Sequence, residues 1–113
     1  MVRALILNKQ AESPIACDLN ALTPAERERR RTLVDALAHA IVGRAELDHG
    51  FKLRVDPAKL DLPSLAEGIA LERRCCPFLD FRIELAPGDG HGTVALSGDD
   101  GVKDFLRAEM GLR

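Results

Sequence analysis

Across the three residues Cys75-Cys76-Pro77 the apolar period of this chain switches from helical to extended. Upstream, Leu62, Leu65, Ile69, Glu72 and Cys76 recur at spacings of three and four, which places them on one stripe of a helix spanning roughly Pro63 to Cys75. Downstream, Leu79, Phe81, Ile83 and Leu85 alternate with Asp80, Arg82 and Glu84, the cleanest strand pattern in the chain. Pro77 enforces the switch, because the residue before a proline is pushed out of the helical region. The apolar stripe of the helix must then face a sheet.

The same pairing of helix and strands recurs on either side of this junction. Thr23-Pro24-Ala25-Glu26 is a capping box with proline at the first helical position, and it opens a helix expected to run to about Val42 with Gly43 as its stop. Leu33, Val34, Leu37 and Ile41 form its apolar stripe. Arg44 to Leu47 and Phe51 to Val55 read as a hairpin around Asp48-His49-Gly50, with Phe51, Leu53 and Val55 on a buried face. After the second helix, Leu79 to Leu85 turns at Pro87-Gly88-Asp89-Gly90 and returns as Thr93 to Ser97. Asp99 or Asp100 is expected to cap a last helix carrying Val102, Phe105 and Leu106. Val2 to Leu7 and Ile15 to Leu19 read as two further short strands.

The expectation is one domain over residues 1–113, with 1–14 as a peripheral strand and loop. Its class is α+β, an antiparallel sheet with helices packed on one face, in the order β-β-α-β-β-α-β-β-α. At 113 residues the chain is long enough to hold a core without metal or disulfide support. With four Phe and neither Trp nor Tyr, that core must be aliphatic.

Net charge and patterning exclude several classes of partner. At a net charge of −2 no long-range field draws the chain to nucleic acid or an acidic membrane. The cluster Arg27, Arg29, Arg30 and Arg31 is interleaved with Glu26 and Glu28 and reads as a solvated helix face. Apolar runs are too short for a membrane span or a signal-peptide core, so the expected location is cytoplasmic. Three cysteines in a reducing compartment argue against a disulfide framework. An exposed strand edge could support a homodimer.

The candidate site is the end of the second helix. Glu72 sits in an apolar row, where a lone carboxylate must pair or take up a proton. Arg30, on the inward stripe of the first helix, is the candidate partner; the alternative is that both residues sit near helix ends and extend to water. Adjacent Cα atoms lie about 3.8 Å apart across a trans peptide, short of ordinary disulfide geometry, so Cys75 and Cys76 are expected to be two thiols. Two such thiols suit a thiophilic metal or metalloid ion, with Cys17 as a third ligand if its segment lies beside the second helix. His39, His49 and His91 show no ligand spacing. Thiol redox catalysis is a weaker reading, since a helix C-terminus disfavours a thiolate, Arg73 and Arg74 oppose this only in part, and there is no Cys-x-x-Cys. A third reading makes the cysteines inert core of a structural or interaction module. An enzymatic role is not favoured.

The segment Leu71-Glu72-Arg73-Arg74-Cys75-Cys76-Pro77-Phe78-Leu79-Asp80-Phe81 resembles a family of small uncharacterised bacterial proteins with a Glu-x-x-Cys-Cys-Pro-Phe motif. The similarity extends to Ile15-Ala16-Cys17, Ala25 to Arg29, Ser97-Gly98 and Gly101-Val102-Lys103. The resemblance implies that Cys17, Glu72, Cys75 and Cys76 belong to one feature, and it implies no reaction.

Overall fold

The structure, a computed structural model, describes residues 15–88 and 90–111. A capping box starts helix α1 (Pro24–Ala40): the Glu26 amide donates to Thr23 Oγ1 and the Thr23 amide donates to Glu26 Oε1, at 3.1 and 2.9 Å. Strands β1 (Ile41–Leu47) and β2 (Gly50–Val55) follow as a hairpin. Helix α2 (Leu62–Cys75) is capped by Asp61, whose carboxylate accepts from the Ser64 amide at 2.8 Å. Strands β3 (Asp80–Leu85) and β4 (Gly92–Ser97) form the second hairpin, and helix α3 (Val102–Met110) ends the described fold.

The four strands form one antiparallel sheet in the order β1-β2-β4-β3. The two hairpins therefore meet through β2 and β4, and β1 and β3 lie at the edges. Phe51, Leu53 and Val55 of β2 and Val94 and Leu96 of β4 are buried on one face. Leu33 of α1, Leu65 of α2 and Val102, Phe105 and Leu106 of α3 join them in a single core. All three helices thus cover the same face, in the expected α+β architecture. At Gly50 a Cβ would lie 1.8 Å from the Leu96 carbonyl oxygen, so only glycine fits where β2 meets β4.

Four local expectations are corrected. Ile15–Leu19 is not a strand: its backbone turns at Leu19–Ala21, a short 3₁₀ helix whose cap is Asp18. The Asp18 amide donates to the Cys75 carbonyl at 2.8 Å, so this segment docks on the end of α2 instead of joining the sheet. Helix α1 stops at Ala40, not Val42, because the β-branched pair Ile41-Val42 opens β1, and Gly43 lies inside that strand beside a register shift. Neither Asp99 nor Asp100 caps α3. Gly101 occupies the cap position at φ 97°, with no side-chain hydrogen bond. Finally, Cys17 and Cys76 form a disulfide across 59 residues, against the expectation of three free thiols. An odd count requires only that one cysteine stay unpaired, and that one is Cys75. The strand expected at Val2–Leu7 lies outside the described residues.

Among the described residues no helix is long and apolar enough to cross a membrane.

Candidate functional site

The end of α2 is built by the Pro77 stop. Cys75 is the last helical residue. Cys76 leaves helical geometry at φ −127° and ψ 67°, while its amide still donates to the Glu72 carbonyl. That twist swings the Cys76 side chain out of its helical position. Its Sγ comes to 3.7 Å from Cys75 Sγ and 3.4 Å from Glu72 Oε1, and it is bonded to Cys17, whose Cα lies 4.7 Å from that of Cys76. As half of a cystine Cys76 has no proton to donate. Its contact with Glu72 is a sulfur–oxygen approach that becomes an S–H···O bond only when the disulfide is reduced. In the contact between the two neighbours, the Cys75 thiol is the donor.

Arg30 and Glu72 meet across the α1–α2 interface. Arg30 Nε lies 2.6 Å from Glu72 Oε2, and Glu72 is 5 % exposed. The N–H vector does not point along the oxygen, so this is a close ion contact without an aligned hydrogen bond. Arg30 Nη2 also reaches Cys17 Sγ at 3.7 Å. Burial pushes the Glu72 carboxyl above its ordinary range, and the Arg30 charge offsets this only in part. Burial, then the nearby Glu72 charge, holds the Cys75 thiol above its usual value despite Arg30.

One ligand atom from each of Cys17, Glu72, Cys75 and Cys76 lies within 4.8 Å of all the others. These four come from two places in the chain, a loop before α1 and the last turn of α2. Cys75 and Cys76 are fully buried and Cys17 is half-buried. His39, His49 and His91 stand apart: His39 Nδ1 contacts the Asp35 carbonyl, His91 Nδ1 lies 3.4 Å from Arg54, and His49 is exposed in the β1–β2 turn.

In the basic cluster of α1, Arg29 and Arg31 are exposed as on a solvated face, while Arg27 and Arg30 are partly buried. Arg27 donates to the Leu19 and Leu22 carbonyls, holding the loop that carries Cys17. Arg29 pairs with Glu67 at 2.8 Å, and Arg74 of α2 pairs with Glu26 at 2.7 Å and donates to the Ala21 carbonyl. Three ion pairs thus flank the α1–α2 seam around the cysteines. The sequence marks Arg74 as a charge near the helix end but not as a link to Glu26 and Ala21. Its only signal was a position in the last turn of α2, which does not reveal a partner on another helix.

Comparison of the chain with protein-family models, with curated proteins and with solved structures finds no match.

Proposed function

We propose that the reduced protein binds a thiophilic metal or metalloid ion through Cys17, Cys75 and Cys76. The observation that carries this reading is the convergence of three sulfurs and one carboxylate oxygen within 4.8 Å of one another. The spacing suits coordination: sulfurs sharing one ion with bonds of about 2.3 Å, at angles from pyramidal to tetrahedral, stand roughly 3.5 to 3.8 Å apart. The 3.7 Å between Cys75 and Cys76 matches that separation.

Binding requires the Cys17–Cys76 bond to open. A dithiol reductant supplies two electrons and two protons, and two thiols result. With a divalent ion each thiol then releases its proton to solvent as a sulfur–ion bond forms; with As(III), which enters as As(OH)3, the three thiol protons leave with the three hydroxyls as water. Charge favours a trivalent metalloid such as As(III). Three thiolates and a trivalent centre sum to zero, and the Arg30–Glu72 pair stays intact, so no net charge enters the buried site. A divalent ion would leave a negative charge and would recruit Glu72 Oε1 as a fourth donor.

The test titrates the reduced protein with As(III) and with Zn(II), following sulfur-to-ion absorption for both and proton release for Zn(II). The reading expects one tight equivalent, at least ~100-fold weaker after Cys17→Ser or Cys76→Ser. Affinity equal to that of a single-thiol variant would overturn it. The complete burial of Cys75 and Cys76 supports a second reading, in which the cystine and the neighbouring thiol serve only to pack the core. That reading expects no tight equivalent in any variant.

A further inference from the structure

Strand β3 is one of the two edges of the sheet, and among the described residues its apolar row is incompletely covered. Ile83 and Leu85 are 39 % and 61 % exposed, although both lie on the helix-covered face in register with Val94 and Gly92 of β4. Beside them runs a groove of about 590 Å³ between α2 and β3, with Ile69, Leu79, Phe81 and Ile83 on its apolar side and Arg73 and Asp80 on its polar side. Exposed edges with apolar rows pair with other strands unless something blunts them.

The opposite edge is blunted. β1 carries a register shift between Ile41 and Gly43, and Lys103 and Arg107 of α3 reach across to Glu46 near its far end. Bulges of this kind interrupt an edge as a pairing template. β3 has an unbroken register from Asp80 to Leu85 and no such cover among the described residues.

We infer that β3 pairs with β3 of a second copy of this chain, antiparallel and centred on Ile83, joining two sheets into one. Residues facing each other across an antiparallel pair share a face, so a two-fold register must centre on a residue. Centring on Ile83 sets Ile83 against the partner's Ile83 and Phe81 against the partner's Leu85, which then enters the mouth of the groove. On the open face it sets Arg82 against the partner's Glu84, twice by symmetry. The neighbouring registers fail on charge: centring on Arg82 puts Arg82 against itself and Asp80 against Glu84, and centring on Glu84 puts Glu84 against itself. Like charges directly opposite destabilise a strand pair, and opposite charges stabilise it. A register centred on Phe81 would also oppose unlike charges, Asp80 against Arg82, but it pairs only Asp80, Phe81 and Arg82 of the strand, whereas centring on Ile83 pairs the whole run from Phe81 to Leu85. This inference does not depend on the cysteine site.

The test is sedimentation equilibrium of the full chain, in reducing and non-reducing buffer so that any thiol-linked species is separated. A strand pair from Phe81 to Leu85 with one groove contact lies at the small end of specific interfaces, so a dissociation constant on the order of 10 µM is expected. Arg82→Glu and Glu84→Arg should each weaken the dimer about tenfold or more, because two symmetric attractions become two repulsions. The double variant R82E/E84R should recover to within about threefold, since it restores opposite charges in the same register. Ile83→Lys, checked for folding by circular dichroism, should be monomeric. A chain monomeric at several hundred micromolar would assign the edge to another occupant and overturn the inference. Unchanged association in the single variants, or no recovery in the double variant, would overturn it as well.

Discussion

Reducing the Cys17–Cys76 bond should lower the melting temperature by roughly 15 °C, and a bound ion should return much of that loss. The bond closes a loop spanning 59 residues. In the chain-entropy account, releasing a loop of that length frees the unfolded chain by about 4 kcal/mol at 25 °C. For a domain of this size one kcal/mol corresponds to about 4 °C in melting temperature, which sets the size of the drop. The loss is expected to lie in the unfolded ensemble, because the contacts that hold the segment use no sulfur: the Asp18 amide donates to the Cys75 carbonyl, and Arg27 donates to the Leu19 and Leu22 carbonyls. Adding As(III) at about 100 times its dissociation constant should restore about 2.7 kcal/mol, or roughly 10 °C, since the folded state alone presents the three sulfurs together. Thermal unfolding by circular dichroism on oxidised, reduced and reduced-plus-As(III) samples measures all three points. If the oxidised and reduced proteins melt within about 5 °C of each other, Cys17 and Cys76 are not joined in the native chain and the loop argument fails.

Three further outcomes follow from the same seam. Arg30→Ala leaves the Glu72 carboxylate buried without its counter-charge and should destabilise the protein by about 3 kcal/mol near neutral pH. Burial already raises the Glu72 carboxyl, and losing Arg30 raises it further. Stability tied to its neutral form is complete below the ordinary carboxyl range and falls as pH rises through the raised value, so denaturant melts should show a smaller Arg30→Ala penalty at pH 4 than at pH 8. Cys75 of the oxidised native protein should resist thiol labelling, because it is buried and its thiol is held above the usual range. One thiol should react in denaturant and three after reduction, and fast native labelling would contradict the burial. Glu26 is held at about 2, first by its bond to Arg74 and then by the Thr23 amide. Its contribution is present above the unfolded carboxyl value and lost as pH falls toward 2, so NMR should find its carboxylate ionised at pH 3.5, where a free Glu is mostly protonated.

Much of the fold was legible because it is locally encoded. The capping box at Thr23 and Glu26 specifies the start of α1 within four residues, and alternation marks β2, β3 and β4 without reference to the rest of the chain. The misread boundaries are those decided by distant partners. Ile15 to Leu19 has the composition of a strand, but the Asp18 amide donates to the end of α2, and the Asp18 and Leu19 carbonyls accept in a local turn. Ile41 and Val42 continue the helical stripe of α1, and the neighbouring strand β2 draws them into the sheet instead. Alternation in β3 shows that one face is apolar and says nothing about what covers it, so the exposure of Ile83 and Leu85 was invisible before the strand order was known.

The cysteines show the same division between local and distant control. Pro77 ends the helix between two adjacent residues, and that local event makes them inequivalent. Cys75 keeps helical geometry and buries an unpaired thiol. Cys76 twists out of it and meets Cys17. The identity of the partner could not be read locally, because it depends on Arg27, Arg74 and the Asp18 amide bringing the loop of Cys17 to the helix end. Those contacts hold the loop without using any sulfur atom. The loop should therefore remain docked when the disulfide opens, leaving three thiols in place beside Glu72. A cluster whose geometry outlasts its own cross-link can exchange a sulfur–sulfur bond for sulfur–ion bonds with little movement of the backbone, and this is the physical basis for assigning both states to one site.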